Sequence, residues 1–208
     1  MVVKQVADLI IDGAKAIAVF ESPHTVELKT GVPLSGDSGL VVSKGLGFDP
    51  TVPVGAVVDD GKVLLSLVNS FEFALQLNTS LVPLHTAIEA LSFCELGALN
   101  YKTEIMKIIR DFDQLQSYKA SYIQRMNKAL KNLNVTPRIV VCGFIAQAFF
   151  EYAYDLSNMR FGSVMNKSIN GVQAQVLYVE HPSPRNKSKY WELGTRQNLM
   201  LKNFLSTA

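Results

Sequence analysis

Cysteine, aromatic excess and charge of one sign are all scarce in this chain of 208 residues. Two cysteines are too few for a disulfide scaffold, or for a zinc or iron–sulfur site held by four thiolates. The formal charge is +2, too small to mark a nucleic-acid partner by itself. No uninterrupted apolar run reaches the ~20 residues of a membrane span, and Met1–Ile10 has no leader-like core with a small-residue cleavage site. The reading is a soluble cytoplasmic protein, for which the glycosylation spelling of Asn78-Thr79-Ser80 has no meaning. A 48% hydrophobic, 18% charged composition excludes a disordered chain, and the length predicts one domain over residues 1–208.

The small net charge hides an uneven distribution. Residues 1–99 carry five basic and eleven acidic side chains, residues 102–131 seven and three, and residues 185–208 five and one. The C-terminal part therefore presents positive charge, either as a solvated face or as a surface for an anionic partner.

Four short apolar runs do not alternate and read as strands covered on both faces: Ala16–Phe20, Val63–Val68, Ile139–Cys142 and Gln175–Val179. Helical patterns fill the intervals. Val2–Ile11 opens the chain, and Pro83 suits the first turn of a helix running toward Gly97. A long period from Ile105 to Leu133 weakens near Tyr118, and Trp191–Leu205 closes the chain. The fold predicted is α/β: a three-layer α/β/α sandwich around a central, mainly parallel four-stranded sheet. Thr30–Pro53, rich in glycine and proline, reads as a long functional loop.

In such folds ligands bind beyond the carboxyl ends of the strands. The residues at those ends carry chemistry: Glu21-Ser22-Pro23-His24, Asn69, Cys142-Gly143, and His181-Pro182-Ser183-Pro184. A loop carboxylate at Glu21 suits stabilisation of a cationic centre or orientation of water, or equally a helix cap; Glu27 is its reserve. His181 suits donation to a developing oxyanion, or a backbone-held histidine at a strand end. The amide of Asn69 can satisfy a donor and an acceptor on one base edge, or fix the backbone after its strand. Arg185, Lys187 and Lys189 follow Ser183 as phosphate contacts or as a solvated loop. His85, Tyr190, Trp191 and the FFEYAY run from Phe149 read as structural, and Cys94 and Cys142 as core thiols.

Four of these segments carry a family resemblance. ESPHTVELKTGVPLSGDSG, Glu21 to Gly39, resembles motif one of the uracil-DNA glycosylase superfamily in the form taken by its thermophilic iron–sulfur branch. HPSPRN, His181 to Asn186, resembles motif two. Asn69, ending VLLSLVN, matches the base-reading asparagine, and CGFIAQAFF, Cys142 to Phe150, is similar to the G-x-x-A-Q turn after the third strand. The four occur in family order and span most of the chain. The departures are Phe20 for the first glycine of motif one, Ser22 before the proline, Leu34 at the position of the uracil-stacking aromatic, Arg185 at the duplex wedge, and no cluster cysteines.

The resemblance implies a hydrolase that flips uracil or a related damaged base out of DNA and cleaves its N-glycosidic bond, without metal or cofactor. Glu21 and His181 would be catalytic. Asn69, Leu34, Ser22 and His24 would surround the base, and Ser183, Arg185, Lys187 and Lys189 would hold DNA phosphate. Two other classes remain open: a non-catalytic nucleic-acid or nucleotide-binding module, and a small-nucleoside hydrolase.

Overall fold

A computed structural model describes residues 4–94, 97–133, 135–157, 159–185 and 187–206. Five strands form one sheet in the order β2-β1-β3-β5-β4. Four are parallel: β1 (Ala16–Phe20), β2 (Leu65–Asn69), β3 (Arg138–Cys142) and β5 (Val172–Val179). Alternate residues of each enter opposite apolar layers. Ile17, Val19, Ile139, Val141, Val176 and Tyr178 face one; Ala18, Phe20, Val140, Cys142, Leu177 and Val179 face the other. With both faces covered, no polar alternation is needed, and this is why the runs are uniformly apolar.

The first layer is covered by α4 (Val82–Leu91), α5 (Ala98–Asp111), α6 (Leu115–Lys131) and α7 (Phe144–Tyr154). The second is covered by α2 (Asp37–Leu46), α3 (Val54–Asp59) and α8 (Arg196–Ser206). A short α1 (Thr25–Thr30) follows β1. The three-layer α/β/α architecture matches the expectation, with one strand more.

That fifth strand, β4 (Val164–Ile169), pairs antiparallel with β5 at the sheet edge. Only one of its faces is covered, so its residues mix polar and apolar types and escape a search for continuous apolar runs. Asn170 and Gly171, with φ of +50° and +81°, make the tight hairpin that joins it to β5. An Asn-Gly pair is the usual spelling of such a turn.

Four further expectations are corrected. Residues 4–11 are not helical: this segment lies along the outer edge of β2, where Leu9 and Leu67 exchange backbone hydrogen bonds of 3.0 and 2.8 Å. Its predicted start at Val2 lies outside the described residues. The loop expected over Thr30–Pro53 contains α2, whose glycines permit close packing. A Cβ on Gly39 would stand 1.8 Å from the Leu34 carbonyl oxygen, and one on Gly45 would stand 3.0 Å from that of Trp191. Glycine lowers helix propensity, so the sequence of α2 reads as loop although tertiary packing makes it helix. The last helix starts at Arg196 rather than Trp191. Tyr190 and Trp191 are buried in the preceding turns, where the Trp191 indole donates to the Glu180 carbonyl at 2.8 Å. The long helical period breaks at Phe112, between α5 and α6, and not at Tyr118.

Arg125 of α6 locks the N-terminal segment to the end of β2. Its guanidinium reaches both Asp8 oxygens, at 3.0 and 2.7 Å, and donates to the carbonyls of Asn69 and Ser70 at 2.8 and 3.2 Å. Asp8 in turn accepts the Asn69 N–H at 3.1 Å. The backbone leaving β2 is thus held from two sides.

Candidate active site

The carboxyl ends of β1, β3 and β5 open on a cavity of about 650 Å³. Glu21 follows β1 directly, Gly143 follows β3, and Glu180-His181 follow β5, so adjacent parallel strands deliver these residues to one place. The Glu21 Oε2 lies 4.0 Å from the His181 Nε2, with both side chains mostly buried.

Gly143 sets how closely they approach. Its φ of +92° and ψ of 156° lie in a region that only glycine adopts without strain. A Cβ there would stand 2.3 Å from the Glu21 Oε1 and 3.1 Å from the His181 Cβ. The carboxylate therefore rests against bare backbone at the head of α7, where the helix dipole favours negative charge. Gln147, one turn into α7, donates to the Val179 carbonyl at 2.8 Å and ties that helix to the end of β5. The Trp191 indole bond to Glu180 steadies the chain just before His181.

Two aromatic rings line the cavity among the described residues, Tyr101 of α5 and Phe144 of α7, with centroids 5.8 Å apart. Burial and the nearby Glu21 charge push the Tyr101 hydroxyl above its ordinary pKa. The Cys142 thiol behind the site is raised well above the ordinary range by burial, and further by Glu21. Next to Tyr101, Lys102 pairs with Glu151 and lies 4.8 Å from the Tyr178 ring centroid, which anchors α5 on α7.

The other candidate residues separate into groups. His24, Ser183 and Lys187 line the cavity with Glu21 and His181. Ser22 is half-buried and does not line it. Leu34 is buried in the apolar layer on the α2 side, with φ +53°. It borders a second, smaller cavity of about 510 Å³, shared with His24, Ser183 and Arg185. Arg185 and Lys189 are exposed, and Lys189 pairs with Glu192 at 2.7 Å. The Ser183 hydroxyl accepts the Arg185 N–H at 3.2 Å. Asn186 of the second motif lies outside the described residues.

Asn69 closes β2 beside Phe20, in register with it. It is 1% exposed and does not line the cavity, and its Nδ2 has no hydrogen-bond partner among the described residues. A buried unsatisfied donor costs ~1–3 kcal/mol. Glu27, the reserve carboxylate, is 5% exposed and fully engaged. One oxygen accepts the His24 N–H at 2.6 Å and the other accepts the Leu34 N–H. It is a clamp that shapes the loop, and it is not presented to the cavity.

Sequence reasoning missed Tyr101 and Glu180, and it gave no role of their own to Phe144 and Gln147 of the CGFIAQAFF segment. Phe144 and Glu180 stand beside strand ends and were open to the rule that found Glu21. Tyr101 had no local signal, because its position depends on how α5 docks on α7. Two thiols expected in the core also part company: Cys142 is buried, whereas Cys94 is exposed. His85 is half-buried on α4, 3.3 Å from Glu89.

Chemically, the cavity offers two carboxylates (Glu21, Glu180), two imidazoles (His24, His181), two aromatic faces and one ammonium. That set suits stabilisation of charge in a bond-breaking step on a flat, polar ligand. Among the described residues no group of three or more His, Cys, Asp or Glu side chains is arranged to hold a metal ion, and no helix is long and apolar enough to cross a membrane. No protein-family model matches the chain, and no curated protein matches it.

Proposed function

We propose that the protein is a DNA glycosylase-like hydrolase that cleaves the N-glycosidic bond of uracil or a related damaged base. The observation carrying this reading is the approach of Glu21 and His181 across Gly143, at the ends of three parallel strands. As the bond stretches, the sugar becomes cationic and the base anionic. The Glu21 carboxylate stabilises the sugar or orients the attacking water, and the His181 imidazole donates to the departing base oxygen. Tyr101 and Phe144 supply the aromatic surface that Leu34, closed into the core, does not. Lys187 at the rim suits a phosphate.

A second reading is a nucleic-acid-binding module without catalysis. The observation favouring it is that Asn69 is buried beside the cavity rather than in its wall. One experiment separates the two: incubation with single-stranded and duplex uracil oligonucleotides, followed by alkaline cleavage of abasic sites. Excision is expected, and Glu21→Gln should slow it by ~100-fold, the scale of a lost general base, with little change in DNA affinity. Binding with no alkali-labile product from the parent protein would refute the hydrolase.

A further inference from the structure

Phe161 is a large apolar ring left in solvent, 43% exposed. It stands on firm backbone. Phe161 bridges to Tyr178 beside β5, and the next amide, of Gly162, donates to the Tyr178 carbonyl at 3.0 Å. Its ring centroid lies 5.8 Å from that of Tyr190 and 6.4 Å from that of Phe144. Phe144 in turn lies 5.8 Å from Tyr101 in the cavity wall. These spacings fall within the roughly 4.5–7 Å range of aromatic contact. The rings therefore form an unbroken file leading from the cavity to the outside of the molecule. Gly162 permits it: a Cβ there would stand 2.5 Å from the Tyr190 hydroxyl oxygen, pushing the turn away.

Positive charge accompanies the file. The exposed Arg160 precedes Phe161, and the exposed Lys187 stands at the rim of the cavity. Aromatic faces with flanking cations hold unpaired strands, because every base offers a π-face and every linkage a negative charge. In a duplex the base faces are already stacked on one another, so an exposed ring finds no free base face to cover it.

We infer that the Phe144–Phe161 file is a stacking platform for single-stranded DNA, whose neighbouring nucleotide enters the Glu21–His181 cavity. This rests on the nucleic-acid reading proposed above and specifies its substrate as an unpaired strand.

The test is fluorescence anisotropy over a range of salt with an undamaged oligonucleotide of about 15 nucleotides, long enough for one binding site, and with its duplex. The parent should bind the single strand more tightly. Phe161→Ala should weaken single-strand binding about tenfold, within the range for one stacked base, and leave duplex binding unchanged. The slope of log affinity against log salt should not move, because no cation is lost. Phe161→Trp should restore affinity. Single-strand binding by Phe161→Ala within about twofold of the parent would overturn the platform, as would equal losses on both DNA forms or a parent that binds neither. Uracil excision measured in parallel keeps the two ideas apart. Phe161-dependent binding without excision removes the hydrolase and keeps the platform; excision indifferent to Phe161 does the reverse.

Discussion

Replacing Gly143 by alanine tests the geometry on which the site depends. The new methyl would lie 2.3 Å from the Glu21 Oε1, about 1 Å inside ordinary contact. The backbone at φ +92° would be strained for any L residue. The strain should lower folding stability by ~1–3 kcal/mol, the usual cost of a non-glycine residue in such a region. Relief of the overlap must come from the carboxylate, because Gly143 is fixed by its 3.0 Å hydrogen bond to the Val179 carbonyl. A displacement of about 1 Å in a reacting group is worth ~100-fold in rate. Urea unfolding measures the first effect, and single-turnover excision of uracil from an oligonucleotide measures the second. In a Glu21→Gln background the same alanine should slow excision little further, since the two changes remove one contribution. Stability within ~0.5 kcal/mol of the parent would refute the conformational argument. Unchanged excision with lowered stability would refute the role given to Glu21.

Glu27→Ala should destabilise the fold by about 3 kcal/mol, because it strips a buried charged acceptor from two backbone donors; a loss under about 1 kcal/mol in urea unfolding would show that the Glu27 clamp is idle. Iodoacetamide at about pH 8.5, near the ordinary cysteine pKa, should label one thiol in the native protein and two in urea. Cys142 stays protonated and covered while Cys94 is open, and rapid double labelling without denaturant would contradict the burial of β3.

Strand ends were the most legible part of the chain. A sheet covered on both faces writes its inner strands as plain apolar runs, and the residue after each run marks the place where ligands bind. Glu21, Gly143 and His181 were found together on that rule, although they are far apart in sequence. Elements whose identity is decided by packing were not legible. Glycines that let α2 lie against Leu34 and Trp191 look like loop residues. The segment around Leu9 has helical spacing, yet it spends its hydrogen bonds on the edge of β2. The Asn170-Gly171 turn was a readable signal for β4 that apolar-run reasoning passed over. Glu27 and Glu21 are alike as letters, and only the backbone donors around Glu27 tell a clamp from a cavity carboxylate. Tyr101 reaches the site through the Lys102–Glu151 anchor, which no spacing rule anticipates.

The segment along β2 also bears on how copies of the chain avoid one another. An outermost strand with open amides and carbonyls is a template for pairing with another molecule, and β2 is a buried LSLVN run with none of the charges that discourage this. Residues 4–11 occupy that template, and Arg125, through Asp8, keeps them there. At the opposite edge, β4 carries its own deterrents, with Lys167 and alternating exposed positions. Trimming the chain before Asp12 would thus do more than shorten it. It would convert one flank of the sheet into an adhesive surface, and the trimmed protein should gather into β-rich oligomers whose onset depends on concentration.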